Sequence, residues 1–175
     1  MKRAIQPSWI DDQSATLAEI APHYGATRTY RGNKYRCFKA GATIPARTVC
    51  MFSALDGTTG TAVTTPIDGT VGETVVVTTG ATVNARCANA SLASITSGNY
   101  FWGLEEGYCC LTGGGSVTAG STIMPNASGA VQNFAEAGAV ALGNHPCGVA
   151  LEDDIATTYY VTCFFKAGFA HDVNA

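Results

Sequence analysis

Apolar and β-branched residues fall in short runs along most of the chain, and glycine, proline or paired polar residues close each run. From Tyr30 onward the alternation is that of half-buried strands, in which successive side chains point to opposite faces. It predicts strands over 33–40, 43–54, 60–67, 73–79, 82–89, 99–104, 107–112, 115–124, 139–143, 147–151 and 158–166. Gly57/Gly60, Gly69/Gly72, Gly113–Gly115 and Gly129 punctuate them as turns. The stretch 56–82 alternates Thr with Val and small residues, and side chains that stiff at χ1 favour strand over helix.

A hexapeptide, Gly-[Ala/Gly]-[Thr/Ser]-[Ile/Val]-x-Ala, recurs at Gly41–Ala46, Gly80–Ala85 and Gly114–Ala119, each copy after an apolar run. Each unit reads as strand, glycine turn and new strand, because glycine supplies the positive φ of a tight hairpin. The first and third copies match further, Tyr35-x-Cys37-Phe38 paralleling Tyr108-x-Cys110-Leu111. Spacings of 39 and 34 residues are too irregular for a solenoid. The expectation is an all-β fold, glycine-punctuated hairpins forming a β-sandwich or barrel.

Residues 1–30 read differently. Asp12 is placed to cap a short helix running to about Ile20, with Leu17 and Ile20 on one face and Pro22 ending it. Trp9 and Ile10 just before it need burial. The expected organisation is an N-terminal arm over 1–30, docked on the body or on a neighbour, and one β domain over 31–175.

Composition sharpens this. Hydrophobic residues make up 46% of the 175 and charged residues 13%, against about 25% charged in ordinary soluble domains. So sparse a charge suits a protein packed against neighbours. The net charge of −3 argues against nucleic acid as a partner, and no run approaches the length of a membrane span. Residues 1–47 hold eight of the ten basic side chains and three of the thirteen acids, a local charge of +5 against −8 for the remainder. This basic segment reads either as a surface that meets an acidic partner or as a solvated strand face.

Chemistry is sparse. No Gly-x-Ser-x-Gly elbow occurs, and the three histidines lie in loops or near the end of the chain; a His145–Cys147 pair stays open. Gly113-Gly114-Gly115-Ser116 continues into a strand rather than into the Lys-bearing helix of a phosphate loop. The seven cysteines show no Cys-x-x-Cys pair, so no metal site is expected. The first residues lack the apolar core of a signal peptide, so the thiols read as reduced core residues of a cytosolic product. Glu105-Glu106 and Glu152-Asp153-Asp154 read as solvated turn charges, or as acids answering the basic segment across an interface. Tyr100 and Trp102 share one strand face and Phe101 takes the other. No enzyme activity and no cofactor are expected.

The stretch 99–124, an aromatic Tyr-Phe-Trp strand leading to an apolar strand and a Gly-x-[Ser/Thr]-Val-x-Ala-Gly turn, resembles structural proteins of tailed-bacteriophage heads. Gly148-Val-Ala-Leu-Glu-Asp, followed by the aromatic strand around 157–165, is similar to the close of small capsid decoration, or cement, proteins. The resemblance spans roughly 99–166. It implies a non-enzymatic homo-oligomer, trimers being favoured, that binds the outside of the major capsid protein lattice and stiffens the head. It also implies assembly in the host bacterial cytoplasm and a place on the virion surface. The expected contact residues are Trp9, Ile10, Arg28, Arg31, Lys34, Arg36, Tyr100 and Trp102. A carbohydrate- or receptor-binding module of a head fibre or tail is the alternative, with Trp9, Tyr100 and Trp102 as stacking platforms. A hydrolase using the acid pairs is the third.

Overall fold

The computed structural model describes residues 26–52, 75–78, 85, 87–115, 117–126, 128–134, 146–154 and 160–167, with 51–52 and 75–78 described through their backbone. Ten strands are found there: β1 Thr27–Tyr30, β2 Asn33–Ala40, β3 Thr48–Phe52, β4 Val75–Thr78, β5 Cys87–Asn89, β6 Tyr100–Thr112, β7 Thr122–Pro125, β8 Val131–Asn133, β9 Gly148–Ala150 and β10 Tyr160–Lys166. The fold is all-β, as the alternation predicts. The arm helix, Trp9, Ile10, the strands expected over 60–67 and 139–143, and all three histidines lie outside the described residues.

The strands hydrogen-bond in the order β1-β2-β4-β3-β5-β6-β10-β9-β7-β8, and β2 pairs with β6 as well. That extra pairing closes β2, β4, β3, β5 and β6 into a ring. All its ladders are antiparallel except β2–β4. Phe38 and Ala40 of β2, Cys50 of β3, Cys87 of β5 and Phe101 of β6 line its inside, with Ile44 and Ile95, whose backbones form a bridge. Phe38 and Phe101 meet at 6.2 Å between ring centroids. Gly103 leaves room for this packing: a Cβ there would stand 2.8 Å from both the Phe38 ring and the Cys87 Sγ.

The opposite parity of the same strands faces outward into a second cluster. Tyr35, Cys37, Val49, Ala88, Tyr100, Trp102 and Leu104 from the ring join Leu111 from the far end of β6 and Ile123, Val131, Ala150, Val161, Cys163 and Phe165 from the remaining strands. Strands β10, β9, β7 and β8 thus form an apron whose inner face is laid on the outside of the ring. Apron and ring are also tied through backbone, Val49 N–H donating to the Gly129 carbonyl and Thr112 N–H to that of Arg47.

Strand β6 belongs to both parts. Its first half pairs with β2 and its second with β10, and Glu106 is in register with both Lys34 and Lys166. Two strands were expected here, at 99–104 and 107–112; the structure has one bent strand. Gly107 takes φ 138° at the bend, where the Asn33 side chain occupies the space a Cβ would need. Asn33 Nδ2 donates to the Tyr108 carbonyl and its Oδ1 accepts the Tyr108 N–H, both at 2.9 Å. The clamp satisfies backbone groups that the bend removes from the β2 ladder.

Other expectations are corrected locally. Thr27–Tyr30, expected in the arm, pair with β2 across a two-residue turn in which Arg31 and Gly32 both have positive φ. The first hexapeptide is no tight hairpin, because β4 lies between β2 and β3. The third crosses from β6 to β7, which do not pair, and the strand expected over 115–124 is confined to Thr122–Pro125.

Candidate interaction surface

The basic segment is engaged within the chain. Arg36 Nε lies 2.6 Å from Glu105 Oε1, and the Lys34 ammonium is 3.4 Å from the other carboxylate oxygen. Both chain segments bring these groups to the ring's inner parity, so the ion pairs sit at its mouth. Arg28 stacks its guanidinium 4.5 Å from the Trp102 ring centre, Arg31 lies over Tyr30, and Lys39 approaches Tyr100 at 6.0 Å. Trp102 is 3% and Tyr100 6% exposed. Their shared face therefore lies under a second layer, and neither ring is a free platform for a sugar or a partner. Of the expected contact residues, the structure brings Arg28 to Trp102 and gathers Lys34 and Arg36 on one carboxylate.

The acid clusters also bond within the chain, with Glu152 and Asp153 solvent-exposed, as expected of turn charges, and Asp154 buried. Asp154 Oδ2 accepts the Gly115 N–H at 2.5 Å, Asp153 Oδ1 the Ala119 N–H at 2.7 Å, and Glu152 Oε1 the Thr162 N–H at 2.7 Å. Asn133 Oδ1 takes the Thr118 N–H at 3.0 Å. Asp154, Asp153 and Asn133 thus hold the N–H groups of Gly115, Ala119 and Thr118, which lie outside the strand ladders. The Thr162 side chain and then its N–H hold the Glu152 carboxyl below its ordinary value of 4.5. Among the described residues, no group of three or more His, Cys, Asp or Glu stands close enough to hold a metal ion.

A different surface emerges on the outer face of the apron. On β10, and on β6 from Tyr108 onward, the even-numbered residues point away from the core, and the register sets them in rows. Tyr108, Phe164, Val149 and Thr122 lie side by side across β6, β10, β9 and β7. Phe134, whose N–H donates to the Thr122 carbonyl, continues the row. Cys110 and Thr162 make the next row with Leu151, whose N–H donates to Thr162, and Thr112 pairs with Tyr160 beyond. Tyr108 is 64% exposed, Leu151 49% and Tyr160 46%. Tyr108 packs edge-on against Phe164 at 5.2 Å. Arg47 crosses from the loop before β3 to stack 4.1 Å over Tyr160 and donate to Cys110 Sγ at 3.4 Å. Desolvation raises the Cys110 thiol pKa, and the Arg47 charge partly offsets that.

This face went unassigned in the sequence reading, although its signal is present. In Tyr160-Val-Thr-Cys-Phe-Phe-Lys the apolar residues fill both parities, so both faces of that strand carry hydrophobic surface. The match of Tyr35 to Tyr108 concealed it: Tyr35 is buried and Tyr108 exposed.

No family model matches the chain, and no curated protein matches it. Among solved structures, the chain is similar to the N base of the head fibre protein gp8.5 of bacteriophage phi29, at 11% identity and a TM-score of 0.46 over 78% of this chain and 98% of that one. At that degree of likeness neither a shared fold nor a shared role follows.

Proposed function

We propose that this chain is a structural protein of a tailed-phage head, one that binds the outside of the major capsid protein lattice through the outer face of its apron. The observation that carries the reading is the row of aromatic and aliphatic side chains across β6, β10 and β9, left open on a protein whose surface is otherwise poor in charge. Aromatic anchors at the centre of a contact supply most of its energy, and weak contacts repeated over a lattice add through copy number. The sequence resemblance over 99–166 supplies the identity of the lattice. The same reading makes the chain non-enzymatic and homo-oligomeric, with a trimer as the first assembly to look for.

The sugar-binding alternative is weakened by the burial of Tyr100 and Trp102, two of its three platforms. The test is co-sedimentation of the purified chain with empty expanded capsid shells, after light scattering has fixed its oligomeric state. A discrete oligomer that pellets with expanded shells supports the proposal. A monomer that stays in the supernatant and binds an arrayed glycan overturns it in favour of the alternative.

A further inference from the structure

Four of the seven cysteines form two directly opposed cross-strand pairs. Cys50 on β3 faces Cys87 on β5, and Cys109 on β6 faces Cys163 on β10. Opposed residues of an antiparallel ladder have Cα atoms about 4.5–5.5 Å apart, within the roughly 4.4–6.8 Å span of disulfides. The Sγ atoms of Cys109 and Cys163 are 3.8 Å apart, and rotation about the two Cα–Cβ bonds is the motion that closes the remaining gap. The two pairs differ in access. Cys50 and Cys87 are sealed inside the ring, whereas Cys109 is only half-buried.

We propose that Cys109 and Cys163 are a disulfide site, oxidised reversibly by a small-molecule disulfide such as oxidised glutathione, while Cys50 and Cys87 stay reduced. The Cys109 thiol loses its proton to solvent, and the thiolate attacks one glutathione sulfur. The Cys109–glutathione bond forms as the glutathione S–S bond breaks, and the departing thiolate takes a proton from solvent. Cys163 then loses its proton, its thiolate attacks Cys109 Sγ, and the second glutathione leaves and is protonated. Two protein thiols are oxidised and one glutathione disulfide is reduced to two thiols. Contact with Cys163 and burial both raise the Cys109 thiol pKa, so the reaction accelerates as pH rises. The bond pins β6, the strand shared by ring and apron, to the apron's first strand, across 54 residues of sequence. The site does not depend on the function proposed above.

The experiment uses the intact chain, incubated with oxidised glutathione at pH 8, quenched in acid, alkylated and digested without reduction. The expected result is an intact mass lower by two hydrogens and one cross-linked peptide joining Cys109 to Cys163, with the other five thiols alkylated. Tm is expected to rise by roughly 5–10 °C on oxidation and to fall back with dithiothreitol. Cys163→Ala is expected to lose both effects; if that variant does not fold, peptide mapping of the unmodified chain decides alone. Arrest at a stable glutathione adduct on Cys109, a bond from Cys163 to Cys147, or seven thiols still free would overturn the proposal.

Discussion

The ring and the apron are built from the same kind of sequence but solve different problems. Each ring strand whose side chains are described is covered on both faces, by the Phe38–Phe101 cluster inside and by the larger cluster outside. The apron's first strand, β10, covers only its inner face, and its outer side chains, Tyr160, Thr162, Phe164 and Lys166, are two aromatic and two polar. A strand buried on both sides carries stability. A strand with one apolar face left open costs solubility unless something binds there. Substitutions in the two regions should therefore have opposite signatures.

The largest effect is expected inside the ring. Gly103→Val drives a branched side chain into the Phe38 ring and the Cys87 thiol, and it is expected to abolish soluble folded protein, read by expression and circular dichroism. Phe101→Ala is expected to cost about 3–5 kcal/mol in urea denaturation, because a fully buried ring leaves a cavity. Next is the bend shared by both regions. Asn33→Ala strips both partners from the Tyr108 backbone and is expected to cost about 1–3 kcal/mol. Hydrogen exchange should show the loss confined to the middle of β6. A smaller cost, about 1–2 kcal/mol, is expected for Glu105→Gln, which leaves Arg36 and Lys34 facing a neutral amide.

The smallest effect concerns pH. The Glu152 carboxyl has its pKa lowered on folding, so its contribution is fully present above the ordinary value of 4.5 and is lost as pH falls through the lower folded value. Glu152→Gln is expected to flatten the acid limb of a Tm-against-pH curve in that window and to leave neutral stability nearly unchanged. An unaltered acid limb would show that the bond to Thr162 is not kept in solution.

What was legible in the sequence follows from what local pattern encodes. Alternation in Asn33–Ala40 located β2 to the residue, and Tyr160–Lys166 and Gly148–Ala150 fell within their expected strands. Glycine was ambiguous. At Gly107 it makes a bend within one strand, a role indistinguishable in sequence from a turn between two. The Ser-Val-Thr pattern after Gly115 reads as a strand, but the N–H groups of Gly115, Thr118 and Ala119 go to Asp154, Asn133 and Asp153. Insertion of β4 between β2 and β3 is a long-range pairing that no local window holds. Asn-Ala-Ser occurs at 89–91 and again at 126–128, and the sequence gives no hint of its structural use. In each, the Asn Oδ1 accepts both the N–H and the hydroxyl of the Ser two residues on, at Asn89 and again at Asn126. Trp102 and Tyr100 drew attention as large aromatics, yet size predicts burial at least as well as contact.

The most direct test of the account compares Tyr108→Ser/Leu151→Ser with the unmodified chain in co-sedimentation with expanded capsid shells, with Tm measured alongside. The account predicts a Tm within about 3 °C of the unmodified chain, since both side chains are solvent-facing, and a loss of shell affinity of about tenfold or more. Full occupancy of the shells by the folded double variant would contradict the assignment of the apron's outer face as the binding surface.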